Sequence, residues 1–193
     1  MMQHIHLKHN NKGFTLVEMI ITIAIIVVLT GAAMVTLTMM HSAKAKEASV
    51  TFTSELSDTA TKSKNQMVVI QEADGTKTNK ASYSHCLKVY KHSNGNYYIK
   101  KGYYNPDGTT DATKYLFTDT DERNDGKGIS ISSKVTIKYT APGASEAEIS
   151  EVYIVYDRNG RVIEGNGRYG FYKRNGNLVA EVNLNKNGSY QAD

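Results

Sequence analysis

The sequence predicts an α+β protein in which a long N-terminal α-helix is followed by a head of antiparallel β-strands. The residues from Phe14 to Met40 are mainly Ile, Val, Leu, Met and Ala, and Glu18 is the only charged residue among them. Apolar residues then recur every three or four positions as far as Ile70, which is the period of an amphipathic helix. Beyond that point, short runs of alternating polarity flank repeated Asn-Gly pairs, a pattern typical of β-hairpins.

Length and composition narrow the class of protein. The chain has 193 residues, which is enough for one folded domain and a membrane segment. Lys and Arg number 23 and Asp and Glu number 19, so the charge is nearly balanced and favours no particular partner. Cys86 is the only cysteine, which excludes an intramolecular disulfide, and we interpret it as a buried, inert thiol. No pattern typical of a nucleophile with its base, a phosphate loop or a zinc site occurs, so we expect neither an enzyme nor a cofactor.

The apolar run is long enough to cross a membrane. About 20 helical residues span the hydrocarbon core of a bilayer, and residues 14–40 exceed that length. Basic residues precede and follow the run, so the charge rule for orientation is weak here. A secretory signal peptide cut near Thr30–Ala33 and a plain single-span anchor are alternative interpretations. Apolar residues continue past Ala33, which argues against the signal peptide, and Glu18 argues against both alternatives.

A motif opens this run. It reads Lys12-Gly13-Phe14-Thr15-Leu16-Val17-Glu18-Met19-Ile20, and it resembles the processing motif of type IV prepilins and of the pseudopilins of type II secretion and competence systems. The resemblance is confined to the N-terminal part of the chain. It implies that a prepilin peptidase cuts between Gly13 and Phe14, with Lys12 in the leader, and methylates the new amine of Phe14. Assembly into a filament then follows through the N-terminal helix.

The resemblance also implies a division of the chain and a destination. Residues 1–13 are expected to form the leader, 14–40 the transmembrane or filament-core helix, 41–71 its amphipathic continuation and 72–193 the β-rich head. The expected partners are the prepilin peptidase, other pilin subunits in a homo- or heteropolymer, the pilus assembly platform and the membrane. The subunit is expected to span the inner (cytoplasmic) membrane once with its head outside, and then to join a pilus or pseudopilus at the cell surface.

Other functions share some of these features. A pseudopilin of a type II secretion or competence system carries the same kind of motif, and a minor pilin that captures DNA is a related alternative. A β-rich binding domain, either secreted or held by a membrane anchor, is the alternative that needs no processing motif.

Glu18 is the residue whose chemistry requires an explanation. An unpaired carboxylate in hydrocarbon costs a few kcal/mol or more, so we expect it to have a partner. The freed amine of Phe14 lies one helical turn away, and the resemblance implies that in a filament Glu18 meets the amine of the neighbouring subunit. The competing interpretation places Glu18 at the lipid headgroups, where the helix dipole favours a carboxylate.

The helix is expected to continue to about Ile70 with one buried stripe. The residues of that stripe are small or apolar: Ala45, Ala48, Phe52, Leu56, Ala60, Ser63, Met67 and Ile70. The charged residues between them are expected to face solvent: Lys44, Lys46, Glu47, Glu55, Asp58, Lys62 and Lys64.

The head is expected to be an antiparallel sheet packed on this half of the helix. Glu72–Ala81 reads as a loop and Ile129–Tyr139 as one half-buried strand, and Tyr190–Asp193 reads as a frayed end. Three hairpins with Asn-Gly turns are predicted, with the strand pairs Cys86–Tyr90 and Tyr97–Lys101, Glu151–Tyr156 and Arg161–Glu164, and Arg168–Lys173 and Leu178–Asn183.

Two features of the head raise the question of ligands. Asp119, Asp121 and Asp125 lie in an acidic segment whose oxygens could coordinate Ca²⁺, although the segment departs from the EF-hand pattern and a solvated loop is the competing interpretation. Residues 97–104 and 168–174 interleave aromatic and basic side chains, as nucleic-acid-binding surfaces do. The competing interpretation is a strand with one packed face and one wet face, and it is the one we favour.

Overall fold

The structure, a computed structural model, describes residues 13–71, 74–117, 124–132, 134–173 and 176–193. The chain divides into two compact units, one ending at Met39 and the other comprising Met40–Asp193. Helix α1 covers Leu16–Asn65, and the short helix α2 covers Asp111–Lys114. The strands are β1 (Val68–Gln71), β2 (Lys77–Lys80), β3 (Ser84–Lys91), β4 (Tyr97–Tyr104), β5 (Tyr115–Leu116), β6 (Ile129–Ser132), β7 (Val135–Thr140), β8 (Ala147–Glu148), β9 (Glu151–Tyr156), β10 (Val162–Glu164), β11 (Gly167–Lys173), β12 (Leu178–Leu184) and β13 (Tyr190–Ala192).

The α+β class is therefore confirmed, with a long N-terminal helix followed by antiparallel sheets. One sheet has the strand order β10-β9-β3-β4-β5, and β6 also pairs with β4. A second sheet has the order β13-β12-β11-β7-β8, and β1 and β2 form a separate hairpin. The prediction of a single sheet was wrong, because the described strands of the head form two main sheets and this hairpin.

The helical residues of the second unit bury one stripe in a core that contains residues of both main sheets. The buried residues are Ala45, Ala48, Ser49, Phe52, Leu56, Thr59 and Ser63. The Phe52 ring packs 4.8 Å from the Tyr169 ring and 5.6 Å from the Phe171 ring, centroid to centroid. Leu87, Ile99 and Ile154 of the first sheet complete the same core. The predicted stripe is confirmed from Ala45 to Leu56 and at Ser63, while Ala60 is only half-buried.

The predicted end of the helix was wrong. α1 ends at Asn65, and Val68–Gln71 leaves the helical path as β1, paired with β2 from inside the predicted loop 72–81. The run Val68-Val69-Ile70 is β-branched throughout, which favours a strand over a helix once a pairing partner is near. Met67 keeps helical spacing in the sequence but is 55% exposed.

Two predictions about strands were also wrong. The run Ile129–Tyr139 is not one strand, because β6 pairs with β4 in the first sheet and β7 pairs with β11 in the second. Lys134 between them has φ +65°, a left-handed conformation that breaks the alternation. Tyr190–Asp193 is not a frayed end, since β13 pairs with β12 and Asp193 exchanges two backbone hydrogen bonds with Glu181.

The predicted hairpins are confirmed, and a fourth has the same turn. In each turn the first residue donates its N–H to the carbonyl of the fifth, and the fourth, a glycine, donates to the carbonyl of the first. These glycines have φ between 75° and 87°. Asn94, Asn159 and Asn187 before three of them do not, so these three turns combine a type I turn with a left-handed glycine rather than two left-handed residues, while the residue before Gly176 lies outside the described residues. The four turns are His92–Asn96, Asp157–Arg161, Lys173–Asn177 and Asn185–Ser189.

A charged contact joins α1 to the first sheet. The Lys101 Nζ lies 2.5 Å from Glu55 Oε2 and 2.6 Å from Asp58 Oδ2, and Lys62 approaches the same Asp58 oxygen at 3.0 Å. The prediction that Glu55 faces solvent was therefore wrong, since its side chain is only 16% exposed, whereas the Asp58 side chain is 41% exposed and takes part in the same contact. The hydrogen bond from Lys101 lowers the pKa of Asp58 most strongly. Burial opposes the charge of Lys101, but its two carboxylate partners outweigh that effect and raise its pKa.

Cys86 is fully buried on β3, as predicted. Burial raises the pKa of the thiol far above its usual range. Because thiolates rather than thiols react, Cys86 becomes available to a thiol reagent only when the head opens. Its labelling rate is therefore a direct measure of the stability of the head.

Phe52→Ala removes a ring from the core that the two main sheets share, and it leaves a cavity there. We expect it to destabilise the head by about 3 to 5 kcal/mol. The measurement is the rate of Cys86 labelling in the full chain held in a neutral detergent, as a function of urea. Val50→Ala, on a side chain that is 65% exposed, is the matched control and should shift stability by about 0.5 kcal/mol or less. Equal labelling of the two variants would show that Phe52 is not central to the core.

His85 predicts a pH dependence of stability. Burial lowers its pKa, while the backbone hydrogen bond to Gln66 and the Asp58 charge act in the opposite direction and Lys62 acts with burial. Because the pKa of His85 is lower in the folded state than its usual value near 6.5, its neutral form favours folding at pH values above 6.5. That contribution is lost as the pH falls through the folded pKa. Carboxylates such as Asp58 lose theirs only at lower pH.

We therefore expect the head to lose stability between pH 7.5 and pH 5, measured by the urea midpoint of unfolding at each pH, followed by tyrosine fluorescence. His85→Gln should remove most of that loss, whereas His92→Gln, in the β3–β4 turn, should keep it. If His85→Gln retains the full loss, then the burial of His85 is not its cause.

Candidate processing and assembly site

The described chain begins at the predicted cleavage site. Gly13, Phe14 and Thr15 precede the first helical residue and have no regular secondary structure. Gly13 is exposed, and a side-chain carbon placed on it would meet nothing within 4 Å. Phe14 is 83% exposed. The peptide bond between them is therefore open to a protease, while Lys12 and the rest of the leader lie outside the described residues.

Thr15 and Glu18 form a reciprocal hydrogen-bonded cap at the start of α1. The Thr15 backbone N–H and its hydroxyl each donate to Glu18 Oε2 at 2.8 Å. The backbone N–H of Glu18 donates back to Thr15 Oγ1 at 3.2 Å. This is the capping-box arrangement, in which the N-cap and the third helical residue satisfy each other's backbone donors. The carboxylate also lies at the positive end of the helix dipole.

Thr15 is the residue that the sequence argument missed. The signal was present, since a threonine three positions before a glutamate at the start of an apolar run is the pattern of a capping box. The predicted partner, the amine of Phe14, requires cleavage, because in the uncut chain the Phe14 nitrogen is an amide. The structure thus gives Glu18 a neutral partner within its own helix before processing.

The hydroxyl groups of the apolar segment are satisfied inside the helix. Thr22, Thr36 and Thr38 donate to the carbonyls of the residues four positions earlier at 2.7 to 3.0 Å. Such bonds hide a hydroxyl from an apolar environment at little cost. Glu18 therefore remains the one formally charged side chain in the described part of this segment, with hydrogen bonds to Thr15 but no cation beside it.

The side chains around this site are exposed and apolar. Every described residue from Gly13 to Met40 is exposed, including large side chains such as Ile20, Val28 and Met34 at 58%, 70% and 73%. An apolar surface of this extent marks a membrane or interaction surface. Within the described residues, α1 is the one helix that is long and apolar enough to cross a membrane.

The calcium candidates are not brought together within the described part of the head. Asp119 and Asp121 lie outside the described residues. Asp125 is described, has φ +56° and lies 3.2 Å from Lys127 Nζ through Oδ2. Among the described residues, no group of three or more His, Cys, Asp or Glu side chains could hold a metal ion.

The two aromatic and basic tracts lie on β4 and β11, and their side chains are engaged in the fold. Tyr97 and Ile99 are buried on the core face of β4, next to Lys101 with its two carboxylates. On β11, Tyr169 is buried, and Arg168 Nη2 lies 3.1 Å from Glu146 Oε1. Tyr98 and Tyr172, on the opposite faces of these strands, are also buried, so the expectation of one packed face and one wet face is wrong at these positions.

Comparison with protein families bears on the segment just described. Residues 8–34 match the family model described as the prokaryotic N-terminal methylation motif. Comparison with curated proteins and with solved structures gives no significant match. The matched residues include Gly13, Phe14, Thr15 and Glu18, which form the exposed peptide bond and the helix cap. The chain therefore carries, at residues 8–34, the N-terminal methylation motif that is the signature of type IV pilins and pseudopilins.

Proposed function

We propose that this chain is the precursor of a structural pilus subunit that polymerises through its N-terminal helix. The observation that carries the proposal is one carboxylate, Glu18, at the start of an exposed apolar helix and inside the methylation motif. A prepilin peptidase cuts after Gly13 and methylates the amine of Phe14. The motif family is one of structural subunits, and its members are processed by that peptidase and assemble with other pilins.

Cleavage changes the electrostatics of the site. It replaces the Phe14 amide by an amine that is charged at neutral pH, one helical turn from Glu18. In a low-dielectric environment, a carboxylate with a cation beside it has a much lower free energy than one that is held by neutral donors alone. We propose that in the filament the cation comes from Phe14 of a neighbouring subunit, which sets the axial position of one subunit against the next.

Removal of the apolar side chains from water keeps the segment in the membrane or in a filament. A large apolar side chain that becomes fully buried contributes about 1.5 to 3 kcal/mol. The exposed side chains of residues 14–40 are held by lipid before assembly, and by the helices of neighbouring subunits after it. Because lipid tails are as apolar as those helices, polar contacts such as the one at Glu18 decide which helices associate.

The proposal fixes a topology and a division of the chain. Residues 1–13 form the leader, 14–40 the membrane and filament-core helix, 41–71 the continuation of the chain into the head, and 72–193 the rest of the head. The subunit spans the inner (cytoplasmic) membrane once with its head outside, meets the pilus assembly platform there, and ends in a pilus at the cell surface.

A pseudopilin of a secretion or competence system is the second candidate, because the methylation motif is common to both classes. The two differ in the filament that forms. A pilus subunit is recovered from long filaments sheared from the cell surface, whereas a pseudopilin stays with the envelope of cells that express the system at its normal level.

The first test is the mass of the mature N-terminus. The membrane form should begin with N-methylated Phe14, and cells without a prepilin peptidase should accumulate the chain with its leader. Intact-protein and N-terminal peptide mass spectrometry make the measurement. A mature chain that begins at Ala33 would instead mean signal-peptide cleavage and would exclude the proposal.

The second test separates the two roles of Glu18. Glu18→Gln keeps a capping-box partner for Thr15, since Gln is also accepted at that helical position. The amide is uncharged, so it cannot form an ion pair with an amine. Thr15→Ala removes the cap's hydroxyl and keeps the carboxylate, at a cost of about 1 kcal/mol of helix stability. We expect Glu18→Gln to reduce filament incorporation at least tenfold and Thr15→Ala to reduce it much less, with both proteins inserted in the membrane.

The measurement is the amount of each variant in sheared filaments relative to its amount in the membrane, in cells that also make the wild-type chain. If Glu18→Gln enters filaments as well as the wild type does, the charge of Glu18 is not required and the proposed pairing fails.

A further inference from the structure

Two tyrosines meet face to face on the side of the first sheet that points away from the core. The rings of Tyr115 on β5 and Tyr153 on β9 are stacked, with 3.8 Å between their centroids and 8° between their planes. Tyr153 is opposite Lys88 on β3, which alternates with the core residues Leu87 and Val89. We call this contact the tyrosine stack.

The tyrosine stack bridges strands that are not neighbours. In the order β10-β9-β3-β4-β5, two strands lie between β9 and β5, so their backbones are roughly 14 Å apart. Cys86 on β3 and Gly102 on β4 are paired across those two strands, and their small size leaves room for the two rings. An added side-chain carbon on Gly102 would come within 2.5 Å of the Phe117 ring, which lies 6.0 Å from the Tyr153 ring. The three rings therefore form one layer above the sheet.

Each ring of the tyrosine stack has a carboxylate at its hydroxyl group. The Tyr115 hydroxyl donates a hydrogen bond to Glu164 Oε2. The Tyr153 hydroxyl donates a hydrogen bond to Glu151 Oε1. Both phenols therefore have a base within hydrogen-bond reach that can accept their proton. Each carboxylate also has a lysine partner: Lys114 Nζ lies 3.0 Å from Glu164 Oε1, and Lys88 Nζ lies 2.5 Å from Glu151 Oε2.

Other tyrosines of the head have one of these two features but not both. The Tyr139 and Tyr169 rings are 4.8 Å apart, but both hydroxyls donate to backbone carbonyls, which are not bases. Tyr97 and Tyr172 donate to carboxylates, but neither contacts the ring of another tyrosine in the described part of the chain. The combination of a stacked ring with two proton acceptors distinguishes the tyrosine stack from ordinary packing on a sheet face.

We propose that the tyrosine stack is a site of oxidative cross-linking, at which a carbon–carbon bond joins the rings of Tyr115 and Tyr153. A haem peroxidase with hydrogen peroxide removes one electron from each phenol, and each phenolic proton passes to the hydrogen-bonded glutamate. The two tyrosyl radicals then couple at the ring carbons next to the oxygens. Each of those carbons loses its hydrogen as a proton, and each oxygen regains one. Overall, two hydrogen atoms leave the chain and one peroxide is reduced to two molecules of water.

The fold supplies the proximity that this coupling needs. Radicals on separate molecules must first meet by diffusion, whereas these two rings are already in contact. Well-oriented groups within one molecule react as if each were present at about 10⁵ M or more. Tyr115 and Tyr153 are only half-buried, so an oxidant at the surface can take electrons from them, whereas Tyr169 is fully buried.

The cross-link would fasten the edge of the first sheet to its middle. Strand β5 has two residues and pairs with β4 alone in the described structure. A bond from Tyr115 to Tyr153 would tie it to β9 as well. Because a covalent link within a chain restricts its unfolded state, the cross-linked head should unfold at a higher urea concentration than the untreated head.

The test uses the full chain in micelles of a neutral detergent, treated with a haem peroxidase and hydrogen peroxide. A mixture of isotopically light and heavy chains is digested, and the cross-linked peptides are quantified by mass spectrometry. We expect the peptide that joins Tyr115 to Tyr153 to be at least tenfold more abundant than that of any other tyrosine pair. It should join two residues of the same chain. The preference should disappear when the wild type is treated in urea, which separates the rings.

Three variants separate the parts of the site. Tyr115→Phe keeps the stacked ring and removes the phenol, so dityrosine should be lost. Tyr104→Phe is the matched control, because the Tyr104 ring also lies near Tyr115, at 5.7 Å, and the product should be kept. Glu164→Gln keeps a hydrogen-bond acceptor for Tyr115 but removes the base, so the yield should fall at least threefold.

Three outcomes would overturn the proposal. Equal yields for several tyrosine pairs would show that the stack does not direct the coupling. An unchanged yield of dityrosine in Tyr115→Phe would show that other tyrosines supply the product. Cross-links that join only different chains would show that collisions between molecules, and not the fold, bring the rings together. None of these results bears on cleavage at Gly13 or on filament assembly, so the two proposals stand or fall separately.

Discussion

The apolar part of α1, residues 16–40, carries one ionisable group, Glu18, and the charge of that group constrains the rest of the molecule. Glu18 is held by Thr15 through two hydrogen bonds of 2.8 Å, so its oxygen has partners but no opposite charge. Neutral donors lower the cost of placing a carboxylate beside hydrocarbon without removing it. On our proposal, cleavage after Gly13 provides a cation where an amide stood before. Glu18 would then start the helix in the precursor and acquire an ionic partner in the processed chain.

In the head, the helical residues from Ala45 to Ser63 pack in one core with residues of two separate sheets. Phe52 packs against Tyr169 and Phe171 of the second sheet, and Lys101 of the first sheet pairs with Glu55 and Asp58 on the helix. A half-buried lysine with two carboxylates specifies orientation more than it adds stability, because desolvation offsets much of the attraction. Apolar packing supplies the stability, and the ion pairs help to fix which strand lies beside the helix.

The sequence predicted those parts of the fold that depend on local patterns. The long helix, its stripe from Ala45 to Leu56 and the Asn-Gly hairpins were all visible in this way. The errors arose where distant partners decide. Met67 and Ile70 continue the helical spacing in the sequence, but Val68–Gln71 pairs with strand β2 and forms a hairpin instead. The alternation of Ile129–Tyr139 gives no sign that its two halves pair with β4 and β11 in different sheets.

The candidate site shows the same division. Gly13, Phe14 and Glu18 are recognisable because their chemistry depends on spacing along one segment, and Thr15 could have been found by the same reasoning. The approach of Lys64 to the β9–β10 turn could not have been found, since it depends on a contact with Gly160 that no run in the sequence shows. The cross-strand ion pairs are equally hidden, because they require the register of the sheets.

The pairing of Glu18 with the Phe14 amine of a second subunit is the central claim, and carbodiimide cross-linking of filaments tests it most directly. Filaments assembled from a mixture of isotopically light and heavy chains would be treated, digested and analysed for an amide bond between the two residues. The account predicts cross-linked peptides that join one light and one heavy chain. Cross-links found only within single chains, or none at all in intact filaments, would contradict it.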